Sequence, residues 1–134
     1  PILVGTGSPR MLRITARHAQ EWNTWGGPEM AGGALDKLLD ACTAVERDPS
    51  TVWKSAQALV FISDDPSFAA SIRDGDMGPR SIAGSTAELT DTIGKYVELG
   101  FDEFIVPDFT LGGDAAERIE RYQQFHTEVA PHFT

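Results

Sequence analysis

Ile2-Leu3-Val4-Gly5-Thr6-Gly7-Ser8-Pro9-Arg10-Met11-Leu12 is the stretch that decides the fold. Its first three residues are a short apolar run that reads as a strand buried on both faces. Two glycines end the run. Ser8 is a favoured helix N-cap and Pro9 suits the first helical position. Met11, Leu12, Thr15, Ala16 and Ala19 then recur at helical spacing and give the helix an apolar face. Strand, tight turn and helix make one βα unit, and the unit recurs along the chain.

Glu21-Trp22-Asn23-Thr24-Trp25 reads as a second strand, closed by Gly26-Gly27. Trp22 and Trp25 are an odd number apart, so one packs against a helix and the other turns to the opposite face. Pro28 opens a second helix with Leu35, Leu38, Leu39, Cys42 and Val45 on its buried stripe, and Cys42 reads as a small core residue. Val52 to Ile62 reads as one long strand, with Ala56, Ala58, Val60 and Ile62 on one face and Trp53, Ser55, Gln57, Leu59 and Phe61 on the other. Pro66 to Arg73 fits a short helix, and residues 74–79 have a loop composition. Ser85-Thr86-Ala87-Glu88 is a capping box. Behind it Leu89, Ile93, Tyr96 and Val97 form a stripe, and Gly100 is the expected stop. Phe104-Ile105-Val106 reads as the fourth strand. A last helix starts near Asp114, with Ile119, Tyr122, Phe125 and Val129 facing inward.

The order β-α-β-α-β-α-β-α predicts an α/β fold with a parallel sheet and right-handed crossovers. Four such units are a (βα)4 half of a TIM barrel; a small doubly wound sheet has the same pattern. At 134 residues the chain is a single domain, residues 1–134. Its net charge of −9 excludes general nucleic-acid binding, which needs clustered Lys and Arg. No apolar run approaches the ~20 residues of a membrane span. One cysteine excludes an intrachain disulfide and fits a reducing cytoplasm. The charge is uneven: Arg10, Arg13 and Arg17 face only Glu21 within residues 1–27, so that segment is positive and the remainder is acidic. That balance suits a segment facing an anion.

In parallel α/β folds the working groups sit at the C-terminal ends of the strands. The Gly5-Thr6-Gly7-Ser8 turn is the leading candidate. It offers backbone amides, two hydroxyls and the positive end of a helix, with Arg10 in the first turn. A plain strand-to-helix turn with a surface arginine remains the alternative reading of the same string. Asn23 and Thr24 at the second strand end could meet a ligand or close the turn. His18, His126 and His132 lack metal-ligand spacing, so no metal site is expected. Asp64, Asp65 and Asp108 read as cap or turn residues, and no acid, base or nucleophile stands out.

Residues 1–13, from Pro1 to Arg13, followed by Ala16-Arg17-His18-Ala19-Gln20-Glu21-Trp22-Asn23, resemble the luciferase-like monooxygenase superfamily. The likeness continues through Asp36–Cys42, Arg47-Asp48-Pro49, Gly84–Leu89 and Gly100–Pro107. The pattern looks most like members that use the deazaflavin coenzyme F420; others in the superfamily use reduced FMN. The resemblance implies strands five to eight of a TIM barrel, as the C-terminal half of a longer oxidoreductase or monooxygenase acting on a small-molecule substrate. It also implies that Gly5, Thr6, Gly7, Ser8 and Arg10 contact the cofactor phosphate, and that Asn23, Thr24, Trp25 and Gly26 line the same site. Gln20 stands where the family carries an aspartate before Trp-Asn. Two edge strands, Ile2–Val4 and Phe104–Val106, are expected to pair with an N-terminal half or a second copy. A noncatalytic, self-assembling half-barrel and a small α/β binding domain are the competing expectations.

Overall fold

The computed structural model describes residues 1–134. β1 (Leu3–Gly5), α1 (Pro9–His18), β2 (Glu21–Trp25), α2 (Pro28–Ala44), β3 (Trp53–Gln57), β4 (Leu59–Ile62), α3 (Pro66–Arg73), β5 (Ser81–Gly84), α4 (Thr86–Leu99), β6 (Glu103–Ile105) and α5 (Ala115–Glu128) follow in chain order. Four strands form one parallel sheet in the order β1-β2-β3-β6, and β4 and β5 form a parallel pair beside it. This is the half-barrel arrangement expected from the alternation of elements. No helix is long and apolar enough to cross a membrane.

Local chemistry sets the helix boundaries. Ser8 accepts from the Met11 amide and Asp65 from the Ser67 amide. Ser85 and Glu88 form the reciprocal box, and Gly100 ends α4 in the left-handed region at φ 94°. The Ser67 hydroxyl and amide hold the Asp65 carboxyl, and the Ser85 amide and hydroxyl the Glu88 carboxyl, below the usual carboxylate range. Asp114 caps α5 through the Glu117 amide, while the Glu117 carboxylate reaches one residue further back, to Gly113.

Trp22, Ala56 and Phe104 lie on one face of the sheet, Ala56 and Phe104 directly in register, and join Leu12, Leu35, Leu38, Cys42 and Tyr96 in the main core. Burial pushes the Cys42 thiol pKa up, partly offset by Arg47 and Lys54. Arg47 is a clamp. Its guanidinium donates to the carbonyls of Ala16 and Ala19 at the end of α1, and to the hydroxyl and carbonyl of Thr51. Gln20 ties down the chain start: its Oε1 accepts from the Ile2 amide and its Nε2 donates to the His18 carbonyl. An aspartate at this position could accept but not donate.

Four expectations need correction. The strand read as Val52–Ile62 breaks at Ala58 into β3 and β4. Both neighbours of β3 end opposite Gln57, at Trp25 and Ile105, and the chain then bonds to β5 instead. One residue is skipped, so the alternation survives and Ala56, Ala58, Val60 and Ile62 are all buried. Strand β5 is an addition to the four expected strands: Ser81-Ile82-Ala83-Gly84 is short and small-residue-rich and becomes a strand through pairing with β4. The first strand is not buried on both faces: Ile2 and Leu3 are 57% and 51% exposed, because β1 is an edge with β2 as its sole neighbour. On α5 only Val129, just past its end, is fully buried. Ile119 and Tyr122 are exposed, as is Val97 on α4, because the β6 edge has no further βα unit beside it.

Candidate functional site

The pairing of β1 with β2 sets Gly5 beside Asn23, so the turns that follow the two strands open side by side. The first turn is pinned from behind: the buried Trp22 indole N–H donates to the Thr6 carbonyl at 2.9 Å. Its donors point elsewhere. The amides of Thr6, Gly7, Ser8 and Arg10 find no acceptor within the protein. Ser8 Oγ accepts from Met11 and keeps its own proton to donate. Arg10 forms no ion pair, since the sole salt bridge in the molecule joins Lys54 and Asp102. A turn with unpaired amides, two hydroxyls, a nearby guanidinium and no carboxylate has the donor set of a phosphate monoester site.

The second turn is built differently. Asn23 is buried, and its Nδ2 donates to Ser55 Oγ at 2.9 Å, stitching β2 to β3. Gly26 has both main-chain groups engaged: its N–H donates to Gln57 and its carbonyl accepts from the buried Tyr96 hydroxyl at 2.7 Å. Its φ of 127° lies in the left-handed half of the map, and an added Cβ would sit 2.7 Å from Met30 Sδ. Asn23 Nδ2 and both main-chain groups of Gly26 are thus committed within the protein, and Gly26 has no main-chain donor left for a ligand. Thr24 shares the helix-facing register with Ala56 and Phe104, away from the open face.

Trp25 is the residue of this group that faces a cavity. Its ring stacks on Phe109 with centroids 6.3 Å apart and planes 10° off parallel. The two rings line a cavity of about 410 Å³ together with Met30, Leu59, Met77 and Arg80. It is an apolar slot with one cation, set at the C-terminal ends of β2 and β6. Phe109 and Arg80 carried no motif in the sequence; only the folded chain brings residues 25, 80 and 109 together.

No protein-family model matches the chain. Solved structures do match. The coenzyme F420-dependent tetrahydromethanopterin reductase from Methanopyrus kandleri superposes on the whole chain with a TM-score of 0.75 and 19% identity, using 51% of its own length. An F420-dependent secondary alcohol dehydrogenase, in complex with an F420-acetone adduct, matches the whole chain at 0.70 and 12%, over 49% of its length. The FMN-bound oxygenating constituent of 3,6-diketocamphane monooxygenase from Pseudomonas putida matches 98% of the chain at 0.64 and 14%, over 48% of its length. This chain has their fold. It spans about half the length of the chains it matches, which agrees with the half-barrel read from its sequence.

Proposed function

We propose that this chain is the C-terminal half-barrel of a luciferase-like oxidoreductase that uses coenzyme F420 or FMN, and that its Thr6-Gly7-Ser8 turn with Arg10 binds the cofactor phosphate. The observation that carries this reading is the turn itself, with its run of unpaired amides beside a free guanidinium at a helix N-terminus. The solved structures of the same fold support it, since the three described above are F420-dependent or FMN-bound. The bound cofactor would supply hydride transfer or oxygen activation. The chain's own residues would hold and orient it. The turn fixes the phosphate, Trp22 fixes the turn, and the Trp25–Phe109 stack gives an apolar wall that excludes water.

The test is a titration of F420 and of FMN into the complete protein that contains these residues, followed by fluorescence. Wild type is expected to bind one of them at micromolar concentration, with Arg10→Ala weakening it about tenfold through loss of a charge-assisted contact. Binding of neither, or unchanged affinity in Arg10→Ala, overturns the reading.

The open face of the sheet favours a second element of the proposal, closure by another (βα)4 unit. Leu3, Trp53 and Phe109 lie on or beside that face and are 51%, 49% and 67% exposed. Glu21 and Glu103 share the same face by register, with Trp53 Nε1 donating to Glu103. Two copies of this chain would bring four carboxylates into one interior, so an N-terminal half of different sequence is the better fit than a homodimer. Light scattering of the isolated chain checks this: a stable closed dimer at neutral pH would overturn it.

A further inference from the structure

A second cavity, of about 1090 Å³, shares Trp25 and Met30 with the first and is lined by residues of both α2 and α4. Its charge is at odds with the rest of the molecule. Helix α2 carries Glu29, Asp36 and Asp40 against one cation, Lys37. Helix α4 carries Glu88, Asp91 and Glu98 against one cation, Lys95. Helix α3 has one charged residue, Arg73. The single cations of all three helices line this groove, whereas of the acids on α2 and α4 only Glu29 does. None of the three cations forms a salt bridge. In a chain of net charge −9, such convergence gives the groove a net positive lining, three cations against Glu29.

Gly33 is an independent observation. Glycine inside a helix is less favourable than alanine. Its neighbour Gly32 has a packing reason, since an added Cβ would lie 3.4 Å from Leu99 of α4. Gly33 has none: nothing in the protein comes within 4 Å of where its Cβ would be. It lines the groove, and a side chain there would project into the channel. Arg73 is held in place by donating to the Ala83 carbonyl at 3.0 Å, which leaves further guanidinium donors for a ligand.

We propose that this groove binds an extended small-molecule polyanion with several closely spaced oxyanion groups, an oligophosphate or a polycarboxylate, held by Lys37, Lys95 and Arg73. Gly7 lines this groove too, so the groove adjoins the Thr6–Ser8 turn, but its three cations come from other helices and Arg10 does not line it; the proposal stands whether or not that turn binds a cofactor.

Calorimetric titration of inorganic tripolyphosphate into the protein at low salt tests it, with tricarballylate in a parallel arm. One-to-one binding of tripolyphosphate is expected. Lys37→Ala and Lys95→Ala should each weaken it about fivefold, as for an exposed ion pair, and the double variant about 25-fold. Gly33→Leu should weaken binding while raising the thermal midpoint, because leucine is the better helix former; a purely structural glycine would move only the midpoint. Arg10→Ala should leave the affinity within about twofold, since Arg10 does not line the groove. Comparable binding of tricarballylate supports the groove and adds polycarboxylates to its ligands, and weaker binding assigns it to phosphates. A flat tripolyphosphate titration overturns the proposal. So does binding indifferent to both lysines, or binding lost in Arg10→Ala, which would move the anion to the turn.

Discussion

Tyr96→Phe isolates one bond that holds the site from behind. Tyr96 is 1% exposed, and its hydroxyl crosses 70 residues of sequence to reach the Gly26 carbonyl at 2.7 Å. Phenylalanine keeps the ring contacts with Phe101 and Phe104, at 5.9 and 4.9 Å between centroids, and removes only the donor. The Gly26 carbonyl is then buried without that partner, so the variant should be less stable by about 1.5 kcal/mol at pH 7. With a urea dependence of roughly 1.5 kcal/mol per molar, the midpoint falls by about 1 M. The pH dependence gives a second reading. Burial raises the Tyr96 pKa well above its ordinary value of 10.0. Above pH 10 the unfolded phenol ionises and the folded one does not, so wild type loses up to about 1.4 kcal/mol per pH unit there and Tyr96→Phe does not. The stability difference should therefore shrink to zero near pH 11. Urea unfolding followed by tryptophan fluorescence between pH 7 and 11 measures both effects, and subtraction removes the lysines, Cys42 and Tyr122 shared by the two proteins. A difference under ~0.3 kcal/mol at pH 7, or one that stays constant to pH 11, would refute the assignment of a buried, neutral donor.

Three further outcomes follow from the same geometry. Arg47→Ala removes four hydrogen bonds, two of them to the end of α1, and should cost about 3 kcal/mol in urea unfolding; Arg47→Lys should recover less than half, because an ammonium lacks the fork. Gly26→Ala forces a Cβ into Met30 at positive φ and should cost at least about 2 kcal/mol, with a shift in Trp25 emission as the turn moves. Cys42 is fully buried and its thiol pKa is raised, so a thiol reagent should label the native protein at the rate of global unfolding; fast labelling at neutral pH would contradict the core placement.

The parts of the fold written in local chemistry were legible from the residues. Ser8-Pro9, the Ser85–Glu88 box and Gly100 act through bonds spanning a few residues, and each boundary formed where its signal stood. The opposite placement of Trp22 and Trp25 followed from the pleat alone. Long-range pairing was not legible. Ser81–Gly84 has no strand signature of its own, and the break at Ala58 depends on where two neighbouring strands stop. In the site, the glycine turn at residues 5–8 could be seen in the sequence. The engagement of Asn23 by Ser55 and of Gly26 by Tyr96 could not, since their partners lie 32 and 70 residues away.

By itself, then, the sequence determined the alternation of strands and helices, the helix caps, the alternating faces and the anion-suited turn, because each is a property of neighbouring residues. The tertiary structure decided which strand ends open together, which donors remain unpaired, and that Lys37, Arg73 and Lys95 share one groove. Those are properties of residues far apart in the chain. Burial and pairing, which depend on what covers a side chain, arise only when the sheet has closed its register and left one face open.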